Sequence, residues 1–113
     1  MRGPVDALET FAAPESCTRV RFTSDELTSL CPITGQPDFS TVEIDYEPNL
    51  RCIESKSLKL YLWSFRDRPA FCEQLAADIA AEVRRAADPM RVRVTITQHT
   101  RGGIVTEATA ELP

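Results

Sequence analysis

Residues 41–47, Thr-Val-Glu-Ile-Asp-Tyr-Glu, decide the architecture. Val42, Ile44 and Tyr46 fall on one side of an extended chain. Thr41, Glu43, Asp45 and Glu47 fall on the other, the period-two pattern of a strand with one buried face. Pro48-Asn49 ends it. The pattern returns at 91–97, RVRVTIT, and more briefly at 20–23, where Val20 and Phe22 alternate with Arg21 and Thr23. It continues weakly over 104–112, after the tight turn Arg101-Gly102-Gly103. Between these strands the period becomes helical. Leu58, Leu62 and Phe65 share one face of a helix expected from Glu54 to Phe65, with Lys56, Lys59 and Trp63 on another. Asp67-Arg68-Pro69 stops that helix and starts the next, Pro69 being tolerated in a first turn. There Phe71, Leu75, Ile79 and Val83 recur every four residues among alanines, and Asp88-Pro89 closes the helix. Residues 28–40, TSLCPITGQPDFS, read as a loop because two prolines and a glycine break every regular pattern.

The order is therefore ββααββ, an α+β domain: an antiparallel four-stranded sheet with two helices on one face. The other face carries Glu43, Asp45, Arg91, Arg93, Thr95 and Thr97. It faces either bulk water or a water-filled lumen in an oligomer. The open edges of such a sheet favour an oligomer. Residues 1–17 read as an irregular N-terminal arm and residues 18–113 as a single domain.

Composition narrows the class. Of 113 residues, 42% are apolar and 27% charged, which excludes long disorder, collagen and coiled coil. No apolar run is long enough to span a bilayer, and MRGPVDALET lacks the apolar stretch of a signal peptide, so the expected location is the cytoplasm. The net charge of −4, with no basic stripe, speaks against direct nucleic-acid binding. Cys17, Cys31, Cys52 and Cys72 form no CxxC pair, so no zinc site is expected. An even count permits three disulfide pairings, but free thiols are expected in a reducing compartment.

Four places could carry chemistry. Cys31 lies in the Pro/Gly-rich loop seven residues before Asp38. A carboxylate there can take a thiol proton and return it to a reacting group. From spacing alone, a small buried thiol beside a turn acid is the better reading. Lys56 and Lys59 project from one helical face near a helix N-terminus, suited to phosphate, although most such pairs are simply solvated. Gly102 in the basic Arg101-Gly102-Gly103 turn would let backbone approach a ligand closely; a plain hairpin turn is the alternative. Glu73, in the first turn of the second helix, is favoured there by the helix dipole and could also hold the N–H edge of a guanine-like base. The sole histidine, His99, lies at a strand end and carries no signal of its own.

The segments SLCPITGQPDF, ESKSLKLYLWSFR, FCE and TRGG occur in this order over residues 27–104. Together they resemble the NADPH-dependent 7-cyano-7-deazaguanine reductases, the nitrile reductases of queuosine biosynthesis, in their short single-domain form. The resemblance implies the tunnelling fold (T-fold), in which sheets of several subunits close into an oligomeric barrel. It implies a homo-oligomer, a decamer of two stacked pentamers, with active sites between subunits. It also implies Cys31 as the nucleophile forming a covalent thioimide with the nitrile, and Asp38 as the acid/base. Ile53, Glu54, Ser55, Cys72 and Glu73 would surround the 7-deazaguanine substrate. Ser55, Lys56, Lys59, Arg101 and Gly102 would surround the phosphates of NADPH.

The chain departs from the family at one point. Where the family usually has FHE, this sequence has Phe71-Cys72-Glu73. A thiol is a weak donor beside an imidazole, so the expectation is slower turnover, or compensation by water or by His99. If both thiols line one pocket, Cys31 and Cys72 could form a reversible disulfide. Two other readings stay open. One is an amidinotransferase acting on the same nitrile in tRNA without NADPH; the intact ESKSLK segment and the acidic charge oppose it. The other is a non-catalytic purine- or pterin-binding module of the same fold; Cys31 and Asp38 oppose that.

Overall fold

A computed structural model describes residues 2–113. The elements are β1 (Thr10–Ala12), β2 (Val20–Leu30), β3 (Pro37–Glu47), β4 (Arg51–Ile53), α1 (Ser55–Trp63), α2 (Cys72–Ala87), β5 (Arg91–Arg101) and β6 (Ile104–Leu112). β2, β3, β5 and β6 form one antiparallel sheet in the order β2-β3-β5-β6, and β1 pairs with β4 in a separate ladder. Phe22, Ile44, Val94 and Ala110 lie level across the four strands. This row and its neighbours face the helices. Val42, Ile44, Tyr46, Val92, Val94 and Ile96 are all buried there. From the other layer α2 contributes Leu75, Ile79 and Val83, and α1 contributes Leu58, Tyr61 and Leu62. Ala76, Ala80 and Ala87, buried along α2, leave room for that helix to approach β5 and β6.

The outer face is ordered by charge. Arg21, Asp45, Arg93 and Glu111 form the corresponding cross-strand row. Arg93 pairs with Glu111 at 3.0 Å, Arg21 with Glu43 at 2.7 Å, and Arg19 grips Asp45. Opposite charges facing one another across strands suit a solvated sheet face.

Four expectations are corrected. Residues 1–17 are not an irregular arm throughout: Leu8 is buried, its N–H donates to the Glu82 carboxylate at 2.7 Å, and residues 10–12 form β1. A further strand, β4, joins the expected order; it is too short to show a periodicity of its own. The loop expected over 28–40 shrinks to 31–36, because β2 and β3 pair through Leu30 and Pro37 despite the local composition. Pro37 is tolerated as the first residue of its strand. Pro69 does not open the second helix. It bridges to Leu30 instead, and α2 begins at Cys72. Among the described residues no helix is long and apolar enough to cross a membrane, and all four cysteines are free.

Candidate active site

The candidate site forms where the helix-facing side of the sheet runs out of apolar residues. Along β3 the inward row is Tyr46, Ile44, Val42, then Ser40 and Asp38, so the alternation ends on a carboxylate only 5% exposed. β2 reaches the same corner by a change of phase. A β-bulge between Ser24 and Leu27 inserts one residue, so inward positions pass from Val20, Phe22 and Ser24 to Leu27 and Ser29. Such a bulge re-aims every side chain beyond it. Cys31 is the next residue in the new phase and lines the pocket with Asp38.

The turn after Cys31 is closed by backbone hydrogen bonds. Gly35 holds a left-handed φ of 74°, and its N–H donates to the Cys31 carbonyl at 2.9 Å. The Cys31 N–H donates to the Gln36 carbonyl at 2.8 Å. The Thr34 hydroxyl, then the backbone N–H groups of Thr34 and Ile33, pull the Cys31 thiol below its ordinary range, against burial and the charge of Asp38.

Two hydrogen bonds bring α2 to the same corner. The Leu30 N–H donates to the Arg68 carbonyl at 3.0 Å, and the Ala70 N–H donates to the Leu30 carbonyl at 3.1 Å. Phe71 then caps α2 and places Cys72 and Glu73 in the first turn. Cys72 is buried, its thiol donates to the Ile96 carbonyl at 3.6 Å, and burial, aided by Glu73, pushes it above its ordinary range. Glu73 is exposed at the helix N-terminus, where its charge is favoured. The pocket, about 390 Å³, holds Cys31, Asp38, Cys72 and Glu73 together with Thr34, Gln36, Gln98, Arg101 and Thr106.

The remaining expected residues lie elsewhere in the chain. Ser55 and Lys59 line a larger, more apolar groove of about 550 Å³ between α1 and β2, walled by Phe22, Ile44 and Trp63. Lys56 is exposed beside it, and the Ile53 side chain is buried in the core. Glu54 is the N-cap of α1; its carboxylate accepts from the N–H groups of Lys56 and Ser57, both at 2.7 Å, which hold it below the usual carboxylate range. Thus the larger cavity is not the one that gathers the acid, the thiol and the cation. Arg101 lies with Asp38 rather than with the lysines, at 3.3 Å from its carboxylate. Gly102, with φ of 57°, sits in the turn just beyond.

His99 does not compensate for Cys72 within the chain. It falls outside the pocket, exposed, with its ring 3.4 Å from the Thr41 hydroxyl. The pocket also contains four polar residues not among the expected site residues, Thr34, Gln36, Gln98 and Thr106. Thr34 and Gln36 stand inside the CPITGQPDF block, a signal that could find them, whereas Gln98 and Thr106 carry no sequence signal at all.

Comparison with known proteins assigns the chain to a family. Residues 37–112 match the model of a family described as QueF-like protein. The chain is 47% identical over 110 residues to the NADPH-dependent 7-cyano-7-deazaguanine reductase of Alkalilimnicola ehrlichii, covering 96% of this chain and 85% of that one. It is 46% identical over 110 residues to the protein of that name from Thioalkalivibrio sulfidiphilus, with the same coverage. The crystal structure of the archaeosine synthase QueF-Like in the apo form is similar in fold, with a TM-score of 0.81 and 30% identity, covering 86% of this chain and 95% of that one.

Proposed function

The chain belongs to the QueF-like family, and from that membership we propose that it is an NADPH-dependent oxidoreductase that reduces the nitrile of 7-cyano-7-deazaguanine to the aminomethyl group, in queuosine biosynthesis. The observation that carries this reading is the convergence of Cys31, Asp38 and Glu73, from three different elements, on one pocket in which the Cys31 thiol is lowered from its ordinary range. At about 390 Å³ the pocket is within the range of small-ligand sites.

In the proposed mechanism Glu73 and the floor of the pocket hold the bicyclic base. The Cys31 sulfur bonds to the nitrile carbon and one C–N π bond breaks. The thiol proton passes through Asp38 to the nitrogen, giving a covalent thioimide. Addition converts a linear, poor hydride acceptor into a protonatable C=N. NADPH, when bound, supplies the hydrides, two per nitrile. Between them Cys31 leaves as thiolate, and Asp38 serves the nitrogen as proton source.

The chain's own residues suit the cofactor's phosphates at α1, where Ser55, Lys56 and Lys59 are exposed or line the groove. Within one chain this groove is separate from the Cys31 pocket. We therefore propose that sites are completed between subunits of a tunnelling-fold barrel, a decamer of two pentamers. β2 and β6, the edges of the sheet, would pair from copy to copy. Exposed Phe39 and Phe71, and Ile104 and Val105 on β6, supply apolar surface for that assembly.

The test is NADPH oxidation with 7-cyano-7-deazaguanine. Consumption of two NADPH for each aminomethyl product supports the reading. Folded, reduced protein that consumes none contradicts it. The archaeosine synthase neighbour keeps one second reading, an amidinotransferase on the same nitrile. That enzyme would clear the thioimide with a nitrogen nucleophile instead.

A further inference from the structure

We propose that Arg101 is a positioning residue for the proton-transfer step, acting on Asp38. The inference rests on the roles proposed for Cys31 and Asp38.

Asp38 brings a carboxylate into a site where only 5% of the residue is exposed, and a buried charge needs a partner. Among the described residues its ion-pair partner is Arg101, 3.3 Å from Oδ1. The sheet explains why these two meet. β3 and β5 pair as far as Ser40 opposite Gln98, and a register shift in the β5–β6 ladder between Gln98 and Arg101 follows, beyond which the Arg101 side chain meets the 36–38 segment. The guanidinium is held there by two other acceptors. Nη1 donates to the Gln36 amide oxygen at 3.2 Å, and Nη2 donates to the Pro37 carbonyl. Both acceptors immediately precede Asp38 in the chain. The cation is thus fixed to the segment that carries the acid, and its place beside the carboxylate does not depend on the carboxylate itself.

The contact to Asp38 is long for a charge-assisted hydrogen bond. That suits a group that must change charge. The guanidinium stands beside the carboxylate that takes the Cys31 proton, without clamping an oxygen that must then carry that proton to the nitrile nitrogen. A planar fork can serve three acceptors at once; an ammonium on a flexible stem cannot hold the same arrangement.

The resemblance would instead set Arg101 against cofactor phosphate, and the two roles separate in an experiment without NADPH. Thioimide formation needs only Cys31, Asp38 and the nitrile. Wild type, Arg101→Met and Arg101→Lys are mixed with 7-cyano-7-deazaguanine alone, and the covalent adduct is followed by intact mass against time. The expected result is a fall of about tenfold or more in adduct rate for Arg101→Met and a smaller fall for Arg101→Lys, with partial recovery of Arg101→Met in millimolar guanidinium. Recovery by guanidinium also shows that the variant is folded. Adduct rates within about twofold of wild type in both variants, with only the KM for NADPH raised, overturn the inference and leave Arg101 a phosphate contact. If wild type itself forms no adduct, the underlying assignment of Cys31 and Asp38 fails first, which is a distinguishable outcome.

Discussion

Cys31 and Cys72 line the same pocket, yet their surroundings push them in opposite directions. Hydrogen bonds from the Thr34 hydroxyl and the 33–34 backbone lower the first; burial raises the second. A lowered thiol carries more thiolate at neutral pH, and alkylation follows the thiolate. Iodoacetamide at neutral pH is therefore expected to label Cys31 ahead of Cys52 and Cys72, with a rate that rises with pH and levels off below the ordinary thiol range. Thr34→Val removes the leading hydrogen bond, so the midpoint moves up and the neutral-pH rate falls several-fold. Peptide mapping against pH checks both, and an unchanged Thr34→Val profile contradicts the Thr34 hydroxyl as the cause. At Cys72, the expected effect of Cys72→His is a change in turnover or substrate affinity; unchanged kcat and KM would show that the departure from the family pattern is inconsequential. The residues proposed to carry chemistry are legible in the sequence because they sit in specific blocks: Cys31 and Asp38 in one, Cys72 and Glu73 in another. Gln98 and Thr106, which line the same pocket, are not, because they acquire meaning only when two strands end at the same corner.

At the scale of elements, what positions the site is the length and phase of β2 and β3. The alternation of Val42, Ile44 and Tyr46 is plain, but its continuation through Ser40 and Asp38 is polar and reads as loop, so both strands look short in the sequence. The bulge between Ser24 and Leu27 is equally hidden, since one inserted residue in a polar stretch leaves no periodic trace. The order of the N-terminal segment is hidden for a related reason. It comes from partners far along the chain, Glu82 for Leu8 and the β4 strand for residues 10–12. One contact between elements is directly testable at this level. Tyr46, on β3, is buried, and its hydroxyl accepts the Ile53 N–H at 2.8 Å; burial raises its phenol to about 12. Tyr46→Phe leaves that N–H unsatisfied next to the segment that starts α1. The expected loss is about 1–3 kcal/mol, read as a Tm lower by several degrees. A Tm equal to wild type contradicts the assignment.

For the whole molecule, the division of expected site residues between two cavities is the informative fact. Cys31, Asp38 and Glu73 meet in one, Ser55 and Lys59 in the other. Sequence alone can suggest an oligomer from the charged outer face and open edges, but not which groups a neighbour must bring. If sites are shared, Cys31→Ala and Lys59→Ala proteins, each nearly inactive alone, should complement when mixed and reassembled. Random mixing of equal amounts leaves about one quarter of sites intact in a head-to-tail ring. Failure to regain activity in verified mixed oligomers points to sites contained within single subunits. The central claim is that Cys31 captures the nitrile and that reduction follows on that bond. It is tested most directly by forming the adduct with 7-cyano-7-deazaguanine in the absence of NADPH, locating it by peptide mapping, and then adding NADPH. The account predicts an adduct on Cys31 that disappears with release of the aminomethyl product. An adduct on another residue, or one that persists with NADPH and clears only with ammonia, would contradict it.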